Sequence, residues 1–434
     1  MKKFTQYGLL IALSLILMIG GQVFAQDDVT LRILVHQNPA AIEFLEGFNA
    51  DFEAANPGIT VDMSVVAPGD LITVTQTRLT AGDVDIVGLL GFGELAAQAY
   101  MVDVSPPAWQ QIVDAGLLLD ITDQDFIENY DPSAIEQAGT VDGRVYAVNL
   151  GRTILSGIFT NNDLFAEFNL ELPTTWDELV AACETFAAEG ISCMTAGGAD
   201  SWPVFVGAYG LQGALFPDPA AYVEGLWTGD IQFNDEENLV MWERLQTYAS
   251  EMIEPGASGL SADAAPGRFA SGVVAMMPAG SWNASTLEAA EPDFEWSYIP
   301  FPGSDDPDDN TFWFGKFDQG FAIAADSPNQ EAALAWVAAL SEPETYNDFA
   351  NAVNFIPTQP TAELETRLGE TVAPFLDNFV LSFEQIWIAP TGAGQWAIPW
   401  ATHFAPFNEW EDPAALANRA QEDLQAGLDA LNAE

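Results

Sequence analysis

The apolar positions of the chain switch between two periods. Leu31-Arg32-Ile33-Leu34-Val35 is a nearly continuous apolar run, as a strand buried on both faces requires. Phe44, Leu45, Phe48 and Phe52 follow at helical spacing, and Asn56-Pro57-Gly58 stops that helix. Ile59, Val61, Met63 and Val65 then alternate as strand residues do. A helical stretch over about 69–81 leads to Asp85-Ile86-Val87, a third strand. This strand–helix rhythm predicts a parallel α/β sheet.

The rhythm resumes after residue 150. Ile158-Phe159-Thr160 reads as a strand. Thr175 and Glu178 form a capping box that starts a helix, Gly190 stops it, and a strand begins at Ile191. Val273–Met277 and Phe321–Ala324 read as further strands, and Glu331–Leu340 as a helix. Pro302–Asn310 is an acidic surface loop, and an amphipathic helix runs from Pro413 to the end. Trp176, Trp242 and Trp336 fall in helical patterns and are expected in the core. Two α/β lobes with several crossovers suit this order better than a row of independent domains.

Residues 1–25 read as a secretory signal peptide: Lys2 and Lys3, an apolar stretch from Leu9 to Ile19, then Val23-Phe24-Ala25 as a cleavage site. The stretch is too short for a membrane span of about 20 residues. The mature chain is expected to lack a transmembrane helix and to work in the periplasm or outside the cell, as a monomer. The two cysteines, Cys183 and Cys193, are expected to pair as a disulfide in that oxidising compartment, or else to be two buried thiols.

Charge narrows the partners. The 434 residues hold 64 acidic and 11 basic side chains, a net charge of −53. Cleavage would remove two lysines and no acid, giving −55, and would leave Lys316 as the only lysine. So anionic a surface repels nucleic acid and anionic lipid. With 49% hydrophobic and 12% aromatic residues the chain is nonetheless a folded protein and not an acidic tail.

Several segments resemble the bacterial extracellular solute-binding proteins of sugar transporters, the maltose-binding-protein-like group. They are Phe52-Glu53-Ala54-Ala55-Asn56-Pro57-Gly58-Ile59-Thr60-Val61, Asp83–Val87, Leu117–Thr122 and Val141–Val148. The series continues with Asn161-Asn162-Asp163-Leu164-Phe165, Leu172-Pro173-Thr174-Thr175-Trp176-Asp177-Glu178-Leu179, Phe269–Met277 with Gly280-Ser281-Trp282, and Phe321–Ala324 with Ser327–Ala333. Two departures are Asp163, where the family usually has lysine, and Thr160, where it usually has tyrosine.

The resemblance implies a two-lobe periplasmic-binding-protein fold of type II, with ligand held in a cleft between lobes joined by crossing strands. It places the crossings near Asn149–Arg152, Met276 and Asp326. The N-lobe would then be 26–150 and 277–326, and the C-lobe 151–276 and 327–434. It implies a binding protein that hands a neutral sugar or oligosaccharide to the permease subunits of an ABC importer, with no cofactor. A polyamine or other solute, or a secreted glycoside hydrolase, are the alternatives.

Sugars offer apolar CH faces for aromatic rings and hydroxyl rims for carboxylates and amides. Ligands in open α/β sheets bind beyond the carboxyl ends of strands. The candidates are therefore His36, Gln37 and Asn38 after the first strand, with helix capping an equal reading for Asn38. Trp202, Trp396 and Trp400 lie in loop sequence, with core packing as the other reading. Trp282 and Asp318 stand where the family often has a stacking tryptophan and a ligand-bonding acid. Arg152 is expected to bond a ligand hydroxyl or an acid across the cleft. Glu94 is a weaker candidate, since an acid in a helix first turn serves that helix. No metal site is expected: the only histidines, His36 and His403, are far apart, and Asp305–Asp309 lacks calcium-loop spacing.

Overall fold

The computed structural model describes residues 29–90, 97–394, 396 and 401–431. The expected signal peptide, Glu94 and Trp400 lie outside them. β1 (Val29–His36) and β2 (Ile59–Val66) pair in parallel from Val29↔Ile59 to His36↔Val66, and β3 (Ile86–Leu89) joins the other side of β1. The connecting helix Pro39–Ala55 starts where the Asn38 side chain accepts from the Ala41 amide at 3.2 Å, with Pro39 at its first position. Its Leu45 and Phe52 are buried. Gly58, at φ +97°, takes the turn that an L-residue resists.

A small hairpin, β4 (Thr140–Val141) and β5 (Arg144–Val145), precedes β6 (Ala147–Ile154). The chain then enters a second sheet at β7 (Gly157–Asn161), which continues with β8 (Ser192–Met194), β9 (Val274–Pro278) and β10 (Trp296–Pro300) in the order β10-β7-β9-β8. β11 (Trp313–Ile323) returns to the first sheet, whose order is β12-β11-β3-β1-β2 with β6 also on β11; β12 is Phe379–Leu381.

Alternation along β1 sends Leu31, Ile33 and Val35 to one face of the first sheet and Leu34 to the other. Helices Gln330–Leu340 and Pro343–Val353 cover the former face, with Trp336 and Phe349 buried there. The second lobe packs around helix Trp202–Leu215, Trp242 and the final helix Pro413–Leu431. Asp85, just before the start of β3, is fully buried and binds Arg32 at 3.0 Å, Ser327 at 2.7 Å and the Arg32 amide at 2.8 Å, tying three chain segments together.

All three lobe boundaries expected from the resemblance need correction. Met276 is no crossing: β9 lies inside the second sheet, and β10 remains there, paired with β7. The chain returns only between Pro300 and Trp313. Nor does the second lobe resume at 327, because the next two helices bury their apolar faces on the first sheet. Leu368 and Val372 share a core cluster with Trp296 of the second lobe, and Phe383 and Ile386 join its main core. The expected boundary at 150 also moves, since β6 runs on to Ile154 in the first sheet.

The crossings are bonded to one another. Leu155 N–H donates to Phe314 O and Phe314 N–H to Ser156 Oγ, both at 2.8 Å, while Phe301 N–H donates to Ser156 O at 2.9 Å. Ser382 N–H reaches Gly315 O at 2.8 Å. Cys183, on helix Trp176–Ala188, is disulfide-bonded to Cys193 on β8. No helix among the described residues is long and apolar enough to cross a membrane.

Candidate ligand-binding site between the lobes

The first sheet ends on one side in His36, the last residue of β1. β11 runs antiparallel to β3, pairing with it from Gly320 onward, so Lys316–Gln319 lies beyond the carboxyl end of β3 and next to His36. Lys316 and Asp318 share one face of β11. Opposite them on β6 stand Thr153 and Gly151. Asp318 is 6% exposed. Its Oδ1 accepts from the Gln319 amide at 2.8 Å and its Oδ2 from Thr153 Oγ1 at 3.2 Å. His36 Nε2 stands 3.9 Å from Oδ1 and Lys316 Nζ 3.7 Å from Oδ2, both beyond hydrogen-bond reach. A carboxylate has about four acceptor positions, so about two remain open.

Electrostatics keeps that carboxylate charged. Burial pushes Asp318 up, but Lys316, then His36 and the bonds from Gln319 and Thr153, outweigh it and hold the acid below its ordinary value. Burial is the main influence on His36 and holds it below its ordinary 6.5, against the pull of Asp318. The imidazole is therefore neutral at pH 7. Its Nδ1 has no partner, and neither does the side chain of Gln319.

The second lobe contributes aromatic surface by the same rule. β8 and β9 are parallel, and the segments beyond their carboxyl ends carry Trp202 and Trp282. The two rings lie 5.9 Å apart at 43°. Trp202 is 43% exposed, whereas Trp282 is half-buried. Trp282 is tied to the acid through the hinge. Ile154 and Ser281 exchange two hydrogen bonds, Ser281 N–H to Ile154 O at 2.9 Å and Ile154 N–H to Ser281 Oγ at 3.0 Å. Ile154 follows Thr153, which holds Asp318, and Ser281 precedes Trp282. A small recess beside the rings is lined by Gly197, Pro203, Met277, Ala279 and Asn283. A larger open groove of about 370 Å³, over Asp163, Glu167 and Asp293, contains none of these residues.

The remaining candidates separate from this group. Gln37 is exposed, and its amide donates to Val66 O at 2.8 Å. Asn38 caps its helix. Arg152 faces away from Asp318, since it pairs with Phe317 in the β6–β11 register. Its guanidinium lies 5.0 Å over Phe379 and donates to Pro357 O at 3.3 Å, so the ion pair expected across the cleft is replaced by aromatic packing. Trp396 stacks on His403 at 4.9 Å, with Arg419 5.0 Å over its ring and Trp410 edge-on at 5.8 Å; it packs within the second lobe. Sequence reasoning overlooked Lys316, Thr153 and Ser281 as site residues. For Lys316 a signal existed, its solitude in the chain. Thr153 and Ser281 carry none.

Residues 39–347 match the family model described as bacterial extracellular solute-binding protein. The chain belongs to that family. This solute-binding protein is 26% identical to the multiple sugar-binding protein of Streptococcus mutans over 321 residues, 72% of this chain and 71% of the relative. It superposes on SBP RafE in complex with raffinose with a TM-score of 0.75 and 20% identity, covering 92% of this chain and 100% of that one. A sugar transporter protein of Bacillus licheniformis in complex with stachyose gives 0.68 at 19% identity, over 92% and 100%. These likenesses establish the two-lobe α/β fold of solute-binding proteins. The family places this chain among binding proteins and not enzymes.

Proposed function

We propose that this solute-binding protein captures a neutral sugar or oligosaccharide in the cleft, closes its lobes on it, and delivers it to the permease subunits of an ABC importer. In this reading residues 1–25 export the chain, which works as a monomer outside the cytoplasm. The observation that carries the proposal is the buried Asp318, which accepts only from the Gln319 amide and Thr153 Oγ1, is held below its ordinary carboxyl value with Lys316 and His36 beside it, and is linked through the hinge strand to the Trp202–Trp282 pair. An acid beside an aromatic surface suits a pyranose, which needs a hydroxyl acceptor and an apolar platform together. A hydrogen bond to a charged acceptor contributes about 1.5–3 kcal/mol.

Support also comes from relatives whose names or complexes speak of multiple sugars, raffinose and stachyose. The charge of the chain agrees: a neutral polyol meets no repulsion, whereas a sugar phosphate would. A polyamine is drawn by the overall field, but at Asp318 it would meet an acid already compensated by Lys316. Intrinsic tryptophan fluorescence of the full chain, titrated with raffinose, stachyose, chitin oligosaccharides and spermidine, tests the proposal. Saturable binding of a neutral sugar is expected. Binding of spermidine alone would overturn it.

A further inference from the structure

Asp318 lies where a carboxyl group should take up a proton. It is buried, and the folded chain around it is highly anionic, two conditions that favour the neutral acid. The groups packed against it decide otherwise. The titratable ones are Lys316 on its own strand and His36 on β1; β6 contributes Thr153 and Asn149, which do not titrate. His36 is uncharged at neutral pH, because burial outweighs the pull of Asp318. Lys316 is then the permanent cation at this carboxylate.

The placement of that cation has its own logic. Lys316 is the only lysine beyond residue 3, and it stands on the face of β11 that carries Asp318. Six of the eight arginines form ion pairs elsewhere, and Arg152 and Arg419 lie over aromatic rings. An arginine fork binds carboxylates in a bidentate manner and would fill the acceptor positions. An ammonium at 3.7 Å acts as a point charge and leaves them open.

We propose that Lys316 is a positioning residue of the ligand site, whose fixed charge keeps the Asp318 carboxylate ionised and oriented to accept ligand hydroxyls. The proposal deepens the sugar-binding reading and rests on it. Lys316 itself need not touch the ligand. The pair is also neutral as a unit, so the subsite attracts hydroxyls without concentrating cations.

Two measurements on the full chain test this, with K316Q and K316R as variants. In the first, the ¹³C resonance of the Asp318 carboxyl is titrated without ligand and assigned with D318N. Removing an opposite charge this close raises a carboxyl by about 1–3 pH units, so K316Q should titrate higher by that amount and K316R should restore the wild-type midpoint. In the second, raffinose affinity is followed from about pH 8 downward through the Asp318 midpoint of each variant. K316Q should begin to lose affinity at a higher pH than wild type and K316R, by the same shift as its own carboxyl midpoint. An unchanged Asp318 midpoint in K316Q would overturn the hold of Lys316 on the acid. A flat K316Q binding profile with a shifted midpoint would overturn its role in ligand binding. Failure of wild type to bind any sugar would refute the sugar reading instead, and the ligand-free titration would still judge the Lys316–Asp318 coupling.

Discussion

Gly280→Ala offers a controlled way to move one ring. A Cβ at residue 280 would stand 2.0 Å from Cη2 and Cζ3 of Trp282, where ordinary contact begins at 3.4 Å. The backbone φ at 280 is not in the left-handed region, so alanine meets no conformational barrier there. The obstacle is the edge of a side chain, and the ring must retreat by about 1.4 Å, the shortfall from ordinary contact. A radial gap of about 0.5–1 Å already forfeits about a quarter to a half of a contact's attraction, so this retreat removes about half or more. A sugar face stacked on indole removes on the order of 100 Å² of apolar surface from water, about 2.5 kcal/mol at about 25 cal/mol per Å². The expected loss is therefore at least about 1.2 kcal/mol, roughly eight-fold in Kd. Isothermal titration with raffinose would measure it, with Trp282→Ala as the full-loss control and thermal unfolding as the check on folding. A Kd within two-fold of wild type, in a variant whose crystal structure shows the ring displaced, would refute the stacking role of Trp282.

Other consequences follow from the same geometry. Asp318→Asn keeps the shape and removes the charged acceptor, so sugar affinity should fall by at least about ten-fold, at about 1.5–3 kcal/mol per charged hydrogen bond, as read by titration calorimetry. In wild type the sugar affinity should show no step at the ordinary imidazole value of 6.5, because burial holds His36 below it, and should fall as the pH drops through the lowered Asp318 value. A step near pH 6.5 would contradict the neutral state of His36. Replacing Cys183 and Cys193 by serine opens a loop with a sequence separation of 10 and should lower unfolding stability by about 2–3 kcal/mol in urea titrations.

The alternating segments were legible because each is locally consistent. The parallel pairing of β1 with β2 could be read from the run Leu31–Val35, the stop at Asn56–Gly58 and the alternation from Ile59. β11 was half hidden. Only Phe321–Ala324 reads as a strand, because Gly315, Lys316, Asp318, Gln319 and Gly320 interrupt the apolar pattern upstream. Those polar residues belong to the cleft, so the site itself disguises the strand that carries it. The lobe boundaries failed for a related reason. A strand such as Val274–Pro278, buried on both faces, looks the same whether the chain next crosses or turns back, and partners distant in sequence decide which. Trp202 was singled out by its loop position after a strand, and Trp282 and Asp318 by the family resemblance. Arg152 and Trp396 were misjudged because sequence does not tell which face of a strand or loop a side chain occupies: Arg152 lies over Phe379, remote in sequence, and Trp396 packs on His403 and Trp410.

The central claim is that the cleft between Asp318 and the Trp202–Trp282 pair holds a neutral sugar. A crystal structure of the full chain with a bound oligosaccharide from the binding panel tests it most directly. The account predicts a pyranose with one face against Trp282 or Trp202 and a hydroxyl donating to Asp318. Sugar bound elsewhere, with these three side chains facing only water, would contradict it.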